Sequence, residues 1–128
     1  MKPTVKSAGP LRSKTMFLAM RIFKLSKYLT DTKYEFVISK QILRSGTNPG
    51  AMVREAENAE SGADFIHKFS VAQKETGETQ YWFELLLNLE LIDSNQYNSM
   101  FNDTEEIMNL LISSIKTRRK TLNSKAKP

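Results

Sequence analysis

Cysteine is absent from the 128 residues, and histidine occurs once, at His67. The first absence removes disulfide cross-links and thiolate metal sites. The second removes the paired Glu-x-x-His motifs of a di-metal centre in a helical bundle, since Asp64-x-x-His67 is the nearest approach and has no counterpart. His67 reads as a helix-surface or interface residue. No stretch comes near the roughly 18 uninterrupted apolar residues of a membrane span. The opening MKPTVKSAGP lacks the apolar segment of a signal peptide, so the cytoplasm is the expected compartment. Ser45-Gly46-Thr47-Asn48-Pro49-Gly50 shares its glycines with a phosphate loop but lacks the Gly-Lys-Ser/Thr end. No nucleophile lies in a strained turn of the kind a Ser/His/Asp site needs. No cofactor, metal or catalytic group is expected, and a non-enzymatic protein follows.

Strand patterning is missing too, because nothing alternates apolar and polar residues over a strand's length. What is present is helical periodicity. Leu18, Ile22, Leu25 and Leu29 mark a first helix from about Ser13 to Thr30. Thr32 and Glu35 form a Thr-x-x-Glu capping box that would start a second, with Phe36, Val37, Ile38, Ile42 and Leu43 as its apolar side. Two glycines and Pro49 then disturb the pattern, before Ala51, Met52, Val53 and Ala56 resume it to about Ala59. Periodicity alone allows one kinked helix here, or two short ones with Asn48-Pro49 as a new start.

The longest stretch begins at Ser61, with Asp64 in capping-box position. Phe65, Phe69, Ala72, Thr76, Thr79, Phe83, Leu86 and Leu89 draw one apolar stripe down it. Its end, Leu85 to Ile92, is apolar on more than one side, which suggests a surface buried against another subunit. Asp93 and Gln96 cap a fourth helix, with Ile92 and Tyr97 as a hydrophobic staple. That helix carries Tyr97, Met100, Phe101, Thr104, Ile107, Met108, Leu111 and Ile115 on one side. It ends in the basic run Lys116–Lys120, where cations suit the negative end of the helix dipole. Four helices joined by short turns give an all-α, antiparallel up-down-up-down four-helix bundle. The domain spans residues 13–120, between a disordered basic arm at 1–12 and a disordered basic tail at 121–128.

The net charge of +5 is unevenly spread. Residues 1–33 hold eight Lys/Arg against Asp31 alone, and residues 113–128 hold six and no acid, so the stretch between them is net acidic. Basic ends suit an electrostatic partner such as nucleic acid, or serve solubility alone. Glu55, Glu57, Glu75 and Glu78 lie among Arg44, Arg54 and Lys74 without forming the usual i,i+4 ion pairs. Two readings stay open for them, solvated faces or salt bridges between subunits that fix how the copies meet. Tyr81 and Trp82 read as packing residues, in the core or at an interface, rather than as a stacking platform for bases.

Two segments carry a resemblance. Ser39-Lys40-Gln41-Ile42-Leu43-Arg44-Ser45-Gly46-Thr47, followed by Gly50-Ala51-Met52-Val53-Arg54-Glu55-Ala56, is the first. Ala63-Asp64-Phe65-Ile66-His67-Lys68, Ser70-Val71-Ala72, Lys74-Glu75, Glu78-Thr79-Gln80-Tyr81-Trp82 and Leu85-Leu86 make up the second. Together they resemble the four-helix bundle proteins encoded by intervening sequences in bacterial 23S rRNA genes, over roughly residues 13–115. Asn48-Pro49 departs from the Ser-Ile of many members, and Gly62 stands where Arg is common. The resemblance implies a ring-shaped homopentamer without enzymatic activity, and one kinked second helix. It also points to a related branch, the accessory proteins of diversity-generating retroelements, which carry a basic surface and bind nucleic acid and a reverse transcriptase. With the basic ends, it makes Arg21, Lys24, Lys27, Lys40, Arg44, Lys116, Arg118, Arg119 and Lys120 the candidate nucleic-acid contacts, with RNA the expected ligand. Glu75, Glu78, Trp82, Leu85 and Leu89 are the candidate oligomer interface. A ring that binds another protein, without specific nucleic-acid affinity, is the alternative.

Overall fold

A computed structural model describes residues 9–126. Residues 1–8 of the expected arm and 127–128 of the expected tail lie outside the described residues. The described chain forms α1 (Leu11–Asp31), α2 (Ile38–Ala56), α3 (Gly62–Asn88) and α4 (Ser94–Ala126), with no strand among the described residues. The backbones of α1 and α2, α2 and α3, α3 and α4, and α4 and α1 approach within 8 Å, whereas those of α1 and α3 do not. The four helices therefore form one bundle, with α1 and α3 at opposite corners. Among the described residues, no helix is long and apolar enough to cross a membrane.

Helix ends follow local chemistry, with two departures from the patterns above. Ser61 Oγ accepts from the backbone N–H of Asp64 at 3.1 Å and starts α3 as expected. Asp93 and Gln96 make the full reciprocal box, each side chain accepting from the other's backbone N–H at 2.8 Å. The start of α2 differs. Thr32 closes α1 as its C-cap, and α2 begins six residues later at Ile38. Glu35 caps it from outside, its carboxylate accepting from the backbone N–H groups of Val37, Ile38 and Ser39 at 2.8–3.0 Å. Three unsatisfied donors meet one negative charge at the positive end of the helix. Phe36 and Val37, expected on the apolar side of this helix, instead stand exposed in the connecting turn.

The second departure ends α3. Its helix stops at Asn88 rather than running on to Ile92. The N–H of Leu91 donates to the carbonyl of Leu86 and that of Glu90 to Leu87, both at 2.9 Å, with Glu90 at φ 60°. This is a Schellman turn with glutamate where glycine usually sits. It folds the apolar surplus of residues 85–92 back inward. Leu86 and Ile92 are buried, Leu85, Leu87 and Leu91 pack against the core, and Leu89 is left exposed.

The glycines and proline of α2 do not break it, so it is one helix with Pro49 inside. Gly46 and Pro49 are buried, and Gly46 lies against α1. A Cβ at Gly46 would lie 2.6 Å from Ile22 Cγ1, so glycine is what lets the two helices approach there. α4 runs through the basic segment and on to Ala126, six residues into the stretch read as a tail. Leu122 helps hold it down, because a Cβ at Gly62 would come within 2.7 Å of its Cδ2. Phe69, Phe83, Leu18, Ile22, Leu29, Ile42, Leu86, Ile107 and Leu111 fill the centre. Each contributes about 1.5–3 kcal/mol on burial. Buried hydroxyls are satisfied locally, as where Thr76 donates to the carbonyl of Ala72 at 2.8 Å.

Candidate nucleic-acid interface

The candidate cations fall into three settings, set by the elements that carry them. Toward the C-terminal half of α1, Arg21 reaches across to α4. Its guanidinium donates to Asp103 Oδ2 at 2.5 Å and to Ser99 Oγ at 3.0 Å, and is half-buried there. Lys14, about two turns earlier on the same face, pairs with Glu106 at 2.9 Å. These bonds stitch α1 to α4, and Arg21 is spent on them. Lys27 pairs with Asp31 at 3.5 Å in an exposed i,i+4 contact. Lys24 and Lys40 are exposed and enter no ion pair among the described residues. Ser26 Oγ donates to the carbonyl of Ser39 at 3.2 Å, which places Lys27 and Lys40 at the same end of the bundle.

Arg44 sits between two acids of α3. It donates to Glu75 Oε1 at 2.9 Å and makes a short bond to Glu78 Oε2, while Trp82 Nε1 donates to the same Glu78 oxygen at 3.1 Å. The bond from Arg44 holds the Glu78 carboxyl below the usual glutamate range, and the Trp82 bond acts in the same direction. The same contacts, with Glu78 first and Glu75 second, raise the Arg44 guanidinium further. The charge of Arg44 is thus neutralised within one chain. Glu55 pairs similarly with Lys68 at 3.1 Å, again from α2 to α3. Glu75, Glu78 and Trp82, expected at a subunit interface, are half-buried and engaged in this network. Leu85 packs against the core from the outside of α3, and Leu89 lies exposed at its end.

The basic run of α4 is different. Arg118 turns inward, its guanidinium carbon 4.0 Å from the centre of the Phe65 ring, which itself packs on Phe69 at 4.3 Å. This cation–π contact anchors the end of α4 on the start of α3. Lys116, Arg119 and Lys120 stand exposed around it and enter no ion pair among the described residues. Lys116 lies thirteen residues beyond Asp103, roughly 20 Å along the axis at 1.5 Å per residue. The nine candidate cations therefore do not form one surface. Lys24, Lys27 and Lys40 mark one end of the bundle, Lys116, Arg119 and Lys120 the other, and Arg21, Arg44 and Arg118 are occupied by partners of the same chain.

The structure also exposes a face that the periodic reading passed over. Met16, Phe17, Met20 and Phe23 of α1 are 47, 56, 55 and 55% exposed. Phe17 lines a groove of about 420 Å³ with Ser13, Lys14, Asp103, Glu106 and Ile107. Met16 lines another on the opposite side, with Thr47, Gly50 and Ala51 of α2. The signal lay in Met16-Phe17-Leu18-Ala19-Met20, five successive positions of α1 without a polar residue. His67 is exposed on α3, and no group of three or more His, Asp or Glu that could hold a metal gathers among the described residues.

Comparison with known proteins adds two findings. The family model described as 23S rRNA-intervening sequence protein matches residues 11–113. A solved structure of a protein of unknown function from the S23 ribosomal protein family of Bacteroides thetaiotaomicron superposes with a TM-score of 0.84 at 52% identity. The match covers 85% of this chain and 97% of that one. No curated protein matches.

Proposed function

Since the chain belongs to the 23S rRNA-intervening sequence protein family, we propose that it is a non-enzymatic, cytoplasmic, oligomeric protein that binds structured RNA through the C-terminal end of α4. The observation that carries this reading is the group Lys116, Arg119 and Lys120, three exposed cations without acid partners among the described residues, on a helix anchored by Arg118 over Phe65. Such a group neutralises phosphates and reads no bases, so binding is salt-dependent and tolerant of sequence. Lys24, Lys27 and Lys40 form a second, weaker contact at the far end. RNA is favoured over DNA by the family alone.

In this reading the bundle runs up-down-up-down and closes into a ring-shaped homopentamer. The antiparallel order is supported by the pairs that join neighbouring helices, which descend on one side as they ascend on the other. Arg12 meets Glu57 and Ser26 meets Ser39 across α1 and α2, while Arg44 meets Glu78 and Glu55 meets Lys68 across α2 and α3.

The test is a titration of structured 23S rRNA fragments with the full chain across a salt series. Replacing Lys116, Arg119 and Lys120 with Ala lowers affinity more than tenfold and flattens the salt slope by about 2–3 units, one per lost phosphate contact. Equal affinity and slope for parent and variant overturn the assignment. A second reading, a scaffold that binds another protein, draws on the exposed apolar face of α1. It requires that parent and triple variant bind RNA equally weakly near physiological salt.

A further inference from the structure

On one side α4 outruns its neighbour. Arg21 meets Asp103 and Lys14 meets Glu106, so α1 and α4 run antiparallel, and α1 begins at Leu11, about one turn beyond that last pair. Ser113 and Thr117 lie about two and three turns beyond Glu106 on the same face of α4. There the face opens into a groove of about 390 Å³, bounded by Pro10, by Phe65 and Phe69 of α3, and by Ser113, Thr117 and Arg118 of α4. That volume lies in the range of small-ligand pockets, roughly 300–1,000 Å³. It takes one base and not a duplex.

The walls differ in chemistry. The Phe65 and Phe69 rings, 4.3 Å apart, form an apolar base. The Phe65 ring answers the charge of Arg118, yet this half-buried guanidinium enters no hydrogen bond or ion pair among the described residues. Its five N–H donors stand in the wall of the groove without an acceptor. Around α4, Lys120 lies roughly 20° and Lys116 roughly 60° from Ser113, so two exposed cations flank the opening.

We propose that this groove takes one unpaired guanosine of the bound RNA. Its base rests on the Phe65 and Phe69 rings, its acceptor edge meets Arg118, and its flanking phosphates meet Lys116 and Lys120. The inference rests on the RNA-binding reading above and adds to it one base that is read. A free phosphate would leave the aromatic base of the groove unused, whereas a nucleotide uses both halves. Arginine only donates, so it suits an edge with two acceptors, which guanine presents in O6 and N7. In a paired RNA helix that edge lies in a deep, narrow groove that side chains do not reach, so the guanosine must stand in a bulge or loop.

Three hairpins of equal nucleotide number test this with the full-length protein near physiological salt. One has a single bulged guanosine in its stem and one a bulged uridine. The third has a fully paired stem, its extra nucleotide placed in the loop, and all three loops contain only uridine. Equal length keeps the phosphate count constant, so the ratio of affinities isolates the base. The parent binds the guanosine bulge about tenfold more tightly than the paired hairpin, and gains less than threefold from the uridine bulge. In Arg118→Lys, which keeps the charge but loses the planar fork, the ratio falls to near one. In Thr117→Phe, which fills the groove from an exposed position, it does the same. Far-UV circular dichroism verifies that both variants keep the parent's helix content. A parent that does not favour the guanosine bulge over both other hairpins overturns the assignment and leaves the phosphate contacts of α4 standing. A preference that survives in either variant overturns it as well. A parent that binds none of the three overturns the RNA-binding reading itself.

Discussion

The cations of α1 and those at the end of α4 come from sequence stretches of similar charge, yet they face different company. α1 packs beside α4 where the latter carries Ser99, Asp103 and Glu106, and Arg21 and Lys14 are drawn into bonds that hold the helices together. The end of α4 packs against the start of α3, which offers it Phe65, and one cation is enough to cover that ring. The remaining three stay in solvent. The number of basic residues in a stretch therefore measures its capacity to attract an anion poorly. What matters is how many are left after the neighbouring helix has been satisfied.

This contrast can be broken or sharpened in order of effect. The largest belongs to the α4 end, where the triple Ala variant loses more than tenfold in RNA affinity while its melting temperature stays close to the parent's, since exposed charges contribute little to stability. Arg21→Ala has the opposite profile. It removes a half-buried ion pair and two hydrogen-bonded links to α4, which costs about 1 kcal/mol in denaturant unfolding. RNA affinity stays within about twofold, as one phosphate contact at most is touched. If Arg21→Ala weakens RNA binding as much as the α4 variant does, the two regions are not distinct.

The smallest effect concerns Arg44 and its acids. Arg44 holds the Glu78 carboxyl below its ordinary value, so the stabilisation is present above the unfolded-state pKa, about 4.3, and is lost as pH falls through the lower folded value. The parent's melting temperature therefore drops as pH falls from about 5 toward 3. Glu78→Gln starts slightly lower at neutral pH and declines less steeply over that window. Thermal melts of both proteins at half-unit pH intervals check this, and parallel declines would remove Arg44 from the list of internally neutralised cations.

Much of the fold was legible because its signals are local. Asp93 and Gln96 announce a cap that forms as written, and Phe69, Ala72, Thr76, Thr79, Phe83 and Leu86 are all buried along the stripe their spacing draws. The family was legible in the stretch from Ser39 to Leu86 and is matched by residues 11–113. The start of α2 was misplaced because Thr32 and Glu35 have capping-box spacing, but the turn after α1 occupies Thr32 and frees Glu35 to cap from its own side chain. The site was less legible for a different reason. Which arginine is free depends on which helix lies beside it, and neither Asp103 nor Glu75 is near its partner in sequence. The apolar face of α1 was written plainly in Met16, Phe17, Met20 and Phe23, but the stronger Leu18, Ile22 and Leu29 stripe drew the reading inward.

Thr79 Oγ1 lies 2.8 Å from Ser45 Oγ, both hydroxyls wholly buried at the seam between α2 and α3. Apolar seams are forgiving, because a leucine that slides by one turn still finds oil. This pair is not. Thr79 Oγ1 also donates to the carbonyl of Glu75 at 2.9 Å, so moving α3 along α2 by one turn, about 5.4 Å, would part the two hydroxyls and leave Ser45 facing hydrocarbon, a loss of about 1–3 kcal/mol. The bond acts as a detent that fixes the register of the two helices, and with it the height at which Arg44 meets Glu75 and Glu78.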